Sequence, residues 1–196
     1  VKYNTPFSAV TAAADGRNTN YAAFYWPWVQ VADADLGGNY WVPASTQVAG
    51  VYAFNDYVSE KWFAPAGLNR GGLDMVIQAE RTLTINDRDV LYNKNVNPIA
   101  TFPQSGVVVW GQKTLQKKRS ALDRINVRRL LIAAKRHVAN TSKYLVFEQN
   151  TAETRARFLN ITKPFFDNAV QKQGIYDYRI IIDERNNTPD VIDRNE

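Results

Sequence analysis

The chain has 196 residues, 45% of them hydrophobic and 12% aromatic, which is enough to bury a core without covalent staples. It contains no Cys, and that excludes a disulfide framework, a thiolate zinc site and a cysteine nucleophile. No apolar run reaches the ~18 residues of a spanning helix, and the net charge of +5 points to nucleic acid, an anionic surface or an acidic protein as partner.

In chain order, residues 1–20 are polar and read as a loop or mobile lead-in. Residues 21–31, YAAFYWPWVQV, are β-branched and aromatic, a strand interrupted by Pro27, which suggests an edge or a bulge. A turn follows in ADADLGGNYW. Pro43 then opens a helix, ASTQVAGVYAFNDYVS, with Val48, Val51, Tyr52 and Tyr57 or Val58 as its apolar stripe. Residues 60–73, EKWFAPAGLNRGGL, are punctuated by Pro65, Gly67, Gly71 and Gly72 and read as an ordered loop. Thr84 or Asn86 caps a short helix with acidic residues in its first turn. PIATF and VVVWG are buried strands around a Pro103–Gly106 turn, a hairpin.

The longest helix covers roughly residues 121–148. Val127, Leu130, Leu131, Ala134, Val138, Thr141 and Leu145 recur at helical spacing, and of these Val127, Leu131, Ala134, Val138 and Leu145 are expected to face the sheet. A second helix starts near Thr151, with Glu153 suggesting a capping box, meets Pro164 and ends at Gly174. IYDYRIIID alternates Tyr176, Tyr178, Ile180 and Ile182 against Asp177 and Arg179, the pattern of a half-buried strand. The fold class is mixed α/β, a small mixed sheet packed by two long helices.

Motifs for catalysis are sparse. GVVVWGQKT nearly spells a phosphate-binding loop, but Gln112 separates Gly111 from Lys113, and the intervening Val-Val-Val-Trp favours extended structure. His137 is the sole histidine and sits on the flank of the apolar stripe, a boundary position. Asp33 with Asp35 and Asp87 with Asp89 are close carboxylates, explained by a turn and a helix N-terminus; DADLGG lacks the oxygens of a calcium loop. No catalytic, cofactor or metal residue is assigned. The concentrated feature is basic: Lys113, Lys117, Lys118, Arg119, Arg124, Arg128, Arg129, Lys135 and Arg136 share their window with Asp123 as the one acid. A solvated helix face, a nucleic-acid contact and an acidic protein partner all remain open for it.

The blocks FYWPWVQV, VPASTQVAGVYAFND, EKWFAPAGLNRGGL, NVNPIATFP, GVVVWGQKTL, SALDRINVRRLL, LVFEQNTAETRARFLN and QGIYDYRIIIDERNNTPDVIDRNE occur in this order. Together they resemble the C-terminal half of the contractile tail sheath proteins of T4-like phages, over nearly the whole chain from Tyr21. The resemblance implies a virion structural protein and not an enzyme. Its subunits would assemble in the host cytoplasm around a tail tube, as part of the virion tail, and contract to drive the tube through the cell envelope. It implies as partners other sheath subunits, through strand exchange by terminal arms, the tube protein, the baseplate and the tail terminator. It implies no cofactor, nucleic acid or membrane.

On this reading residues 1–85 form part of a middle sheath domain and residues 86–196 the tube-proximal C-terminal domain. The chain opens without Met and stops at DVIDRNE, so it is expected to be a fragment lacking a last strand and arm. Lys117, Lys118, Arg128, Arg129, Lys135 and Arg136 are the candidate interface to acidic groups on the tube or a neighbouring subunit. The alternative is a basic nucleic-acid or nucleotide-binding module.

Overall fold

The computed structural model describes residues 2–33, 35 and 37–194. In chain order the elements are α1 (Phe7–Asp15), β1 (Phe24–Trp26), β2 (Val29–Ala32), β3 (Asn39–Val42), α2 (Ala44–Val58), β4 (Val76–Ala79), α3 (Ile85–Asn93), β5 (Val96–Phe102), β6 (Gly106–Val109), α4 (Ile125–Ser142), α5 (Ala152–Gln171) and α6 (Pro189–Asp193). They divide into two compact units, Val1–Arg129 and Leu130–Glu196. The expected boundary between residues 85 and 86 falls inside the first unit, because β5 and β6 pair and pack with earlier elements.

The mixed α/β class holds, with the strands in two three-stranded sheets. In one, β5 is central, with β1 parallel on one side and β6 antiparallel on the other. In the second, β2 lies between β3 and β4, both antiparallel. The expected single strand over residues 21–31 is therefore two strands in two sheets. Pro27, which has no N–H to give to a ladder, sits where the chain leaves one sheet for the other.

Strand β5 is buried from Val96 to Ala100 without alternation, because it has a cluster on each face. Ile99 joins Val29, Val48, Val51, Leu73, Val107 and Val109 in one cluster. Val96 joins Val10, Ala14, Trp26, Leu91 and Leu115 in the other. The second cluster corrects the reading of residues 1–20 as a loop. Phe7, Val10 and Ala14 fall on one helical face, and α1 buries Val10 and Ala14, with Phe7 edge-on to Trp26 at 5.8 Å.

Helix α2 follows Pro43 as expected, but its buried stripe is Ala44, Val48, Val51 and Asn55; Tyr57 and Val58 are exposed. Asn55 replaces an apolar residue because its amide donates to the carbonyls of Glu60 and Phe63, at 3.3 and 3.4 Å, where the chain turns into the following loop. That loop is ordered. Leu73 N–H donates to Val107 O, and Val109 N–H to Gly71 O, so the loop covers the free edge of β6. Gly71 is required there: a Cβ would stand 2.7–2.8 Å from the backbone of Ala66 and Gly67. Thr84 caps α3 in a reciprocal box with Asp87, whose carboxyl these hydrogen bonds hold below the usual range.

In the second unit, Thr151 caps α5, but its hydroxyl accepts from Thr154 N–H; Glu153 sits one position too early to complete a box. The helix continues through Pro164 to Gln171. His137 of α4 stacks on Phe165 of α5, with ring centroids 4.7 Å apart and 14° between planes, so the two long helices pack on each other. The expected strand IYDYRIIID belongs to no ladder among the described residues. Side-chain contacts with α5 hold the segment instead: Tyr178 stacks on Phe166 at 5.2 Å and its hydroxyl donates to Asp167.

Candidate protein interface

The segment between β6 and α4 is stitched to β5 by one buried amide. Asn97 is fully buried. Its Nδ2 donates to Phe24 O at 3.0 Å and Lys113 O at 2.8 Å, and its Oδ1 accepts from Lys113 N–H at 2.6 Å. Gly111 makes room for this: a Cβ there would stand 2.9 Å from Asn97 Oδ1. The near-phosphate-loop is thus a core strand and its exit turn. The Lys113 ammonium is also committed, donating to Tyr92 O at 2.8 Å and lying 4.2 Å from the centre of the Tyr92 ring. Burial, with the nearby Arg124 cation, holds this ammonium below the usual lysine range.

The same stitching continues to the start of α4. Thr114 N–H donates to Asp123 O, Thr114 Oγ1 to Leu122 O, and Ile125 N–H to Gln112 O at 2.8 Å. The first turn of α4 is thereby held in the first unit, and this decides the fate of the six candidate cations.

Arg128 is corrected from a surface to a buried position, and Arg129 to a half-buried one. Arg128 is 7% exposed, on the same helical face as buried Ile125. Its guanidinium lies 4.2 Å from the centre of the Tyr21 ring, and its Nε is buried without an acceptor among the described residues. Arg129 pairs with Asp56 of α2 and lies 4.8 Å from the Tyr52 ring centre. The Tyr52 hydroxyl shares a 2.6 Å hydrogen bond with Tyr25, whose own hydroxyl burial pushes well above the usual tyrosine range. These two arginines anchor α4.

The other four are exposed. The Lys117 ammonium donates to the Asp15 carbonyl, while its N–H donates to Asn18 Oδ1 at 3.1 Å. Lys118, Lys135 and Arg136 make no side-chain hydrogen bond or ion pair among the described residues. Among the described residues no acidic group pairs with them. Sequence reasoning missed the partners Tyr21, Tyr52 and Asp56, which lie 73 to 107 residues away along the chain. The Ile125–Arg128 spacing was the one local signal that Arg128 turns inward.

The remaining candidates are structural. His137 is half-buried and stacked, its Nε2 without a partner among the described residues. Asp33 Oδ1 accepts from Asp35 N–H at 3.0 Å, a local turn. No group of three or more metal-ligating side chains occurs among the described residues. No helix among them is long and apolar enough to cross a membrane.

Residues 4–115 match the phage tail sheath protein central domain, and residues 117–196 match the phage tail sheath C-terminal domain. The chain is 38% identical over 187 residues to the tail sheath protein of Vibrio phage KVP40, covering 94% of this chain and 28% of that protein. It is 42% identical over 158 residues to the tail sheath protein of Enterobacteria phage T4, covering 81% of this chain and 24% of that one. The chain therefore spans about a quarter of the length of the curated relatives it matches. Among solved structures, it is similar to the sheath complex of an extracellular contractile injection system, PVC, in its contracted state. The TM-score is 0.76 at 26% identity, covering 92% of this chain and 49% of that one.

Proposed function

The chain belongs to the phage tail sheath family, and from that premise we propose that it is part of a contractile sheath subunit. Copies polymerise around a tail tube, in a virion tail assembled in the host cytoplasm. Contraction repacks the same subunits from one arrangement into another and drives the tube through the cell envelope. The observation that carries this reading is the match of both sheath domains, together with the likeness to a contracted sheath complex over nine-tenths of the chain. The role is mechanical and non-enzymatic. In its favour, Lys113 is spent on Tyr92 and Asn97 and is not free to grip phosphate.

In this proposal the stretch that matches the central domain, residues 4–115, belongs to a middle domain and the stretch that matches the C-terminal domain, residues 117–196, to a tube-proximal one. Lys117, Lys118, Lys135 and Arg136 meet acidic groups on the tube or on a neighbouring subunit, while baseplate and terminator contact the sheath at its ends. Exposed charges of this kind set register and encounter rate more than affinity, which suits a contact that must release on contraction. The test is electron microscopy of the full-length parent protein, alone and with its tube protein. Helical sheaths or tubes are expected; uniformly dispersed particles under all conditions would refute the reading.

A further inference from the structure

The molecule exposes two apolar features that no core explains. One is a tip. Between α4 and α5, residues 143–148 read Lys-Tyr-Leu-Val-Phe-Glu, and Tyr144, Val146 and Phe147 all project into solvent. Phe147 is fully exposed at 103%. Its φ of +74° lies in the left-handed region, which bulky side chains rarely occupy. Backbone strain of this kind gathers at clamps and contact points.

The second feature is a groove of about 330 Å³ between α2 and residues 68–75. Gly50, Val51, Phe54, Leu68 and Met75 line it, with Asp74 on its rim. Phe54, Leu68 and Met75 are exposed, Met75 at 78%. A Cβ on Gly50 would meet nothing within 4 Å, so the helix leaves the groove open there. Met75 is the residue type best able to remould around an inserted side chain.

We propose that the tip of one copy seats in the groove of a second copy. The inference rests on the sheath reading above and names surfaces for it. An open helical array of identical subunits needs a head-to-tail interface, which joins two different patches of the same chain. Here one patch is an apolar knob and the other an apolar hole. Their charges also match: Lys143 leads the tip, and Asp74 forms no ion pair among the described residues. The Asp74 carboxylate stands 3.2 Å from where a Cβ on Gly72 would lie, at the groove's edge. Phe147 fills the groove as the central anchor, and the Lys143–Asp74 pair at the rim fixes its direction.

The test uses the full-length subunit, polymerised from an equal mixture of isotopically heavy and light copies, with a benzophenone side chain at position 147. Irradiation should join position 147 to peptides within residues 47–54 or 68–75, in heavy–light pairs. Cross-links confined to single copies, or mapping elsewhere, would overturn the proposal. In parallel, Phe147→Ser should raise the critical concentration for assembly about thirtyfold. Gly50→Leu, which fills the groove without burdening the helix, should raise it about tenfold. Lys143→Asp and Asp74→Lys should each raise it about fivefold, and the two together should return it close to the starting value. Additive losses in that double variant would overturn the pairing. Failure of the unmodified subunit to form any sheath would instead sink the functional reading, so the two failures are distinguishable.

Discussion

Asn97→Leu is the substitution whose cost follows most directly from the geometry. Leucine keeps the branching and the number of heavy atoms, so no cavity forms; its methyl groups are bulkier and cannot approach the three partners as closely, and the lost hydrogen bonds set the minimum cost. Three disappear at once, to Phe24 O, Lys113 O and Lys113 N–H, at 3.0, 2.8 and 2.6 Å. A buried backbone group left without a partner costs about 1–3 kcal/mol. Phe24 and Lys113 are half-buried residues, so the low end applies. The expected loss is about 3 kcal/mol, against a total of roughly 5–15 kcal/mol for a typical domain. Thermal melting should fall by about 6–12 °C.

Urea unfolding followed by tryptophan fluorescence measures this loss, because Trp26 lies in the cluster against β5. Hydrogen exchange at Lys113 and Leu115 should accelerate before the global transition, since Asn97 ties that segment to the strand. N97D refines the test. Its carboxylate can still accept from Lys113 N–H but donates to neither carbonyl, so at neutral pH it should be no more stable than N97L. On acidification the carboxyl gains a proton and recovers one donor, so the gap to wild type should narrow. A loss below 1 kcal/mol for N97L, with an unchanged m-value, would refute the claim that this amide holds the strand exit in place.

Two further outcomes separate the interior from the surface. Arg128→Glu should cost about 3 kcal/mol or more, because it places an unpaired carboxylate at a buried position. Lys135→Glu with Arg136→Glu should change melting by less than about 0.5 kcal/mol in stability while lowering sheath yield most at low salt, where screening is weakest. The third concerns alkaline pH. The hydrogen bond to Asp167, with burial and nearby acidic charge, raises the Tyr178 hydroxyl from its ordinary value to about 12. The native phenol holds its proton to higher pH than the unfolded one. The contact therefore adds stability below the ordinary tyrosine pKa and loses it as pH climbs from there towards 12. Absorbance titration should show Tyr178 ionising late, together with the buried pair Tyr25 and Tyr52, and Asp167→Asn should bring one tyrosine of that late group back towards the ordinary range; identical titrations for the two proteins would refute the assignment.

Local signals in the chain carried most of the elements. Thr84 three positions before Asp87, Pro43 ahead of an apolar-periodic run, and the Pro103–Gly106 turn between two apolar stretches each specify their structure within a few residues. What stayed illegible was settled by long-range partners. The residues 21–31 read as one strand because Pro27 announces a break but not that the halves join different sheets. Residues 175–182 have strand periodicity, yet periodicity specifies a face and not a neighbour. With no strand to pair with among the described residues, the segment's aromatic side chains settle on α5.

The basic run shows the same limit on the functional side. Nine cations in one window look alike in sequence, and composition alone makes them a single feature. The structure sorts them by what the first turn of α4 is tied to. Thr114, Gln112 and Asn97 hold that turn against the first unit, so Arg128 and Arg129 turn to Tyr21, Tyr52 and Asp56. Further along the helix, Lys135 and Arg136 are exposed and form no ion pair among the described residues. A cation spent on the fold cannot also guide a partner, so the charge available for assembly is smaller than the composition suggests. It is also concentrated on fewer residues, and reversing two of them should therefore be felt in the sheath while the fold does not register it.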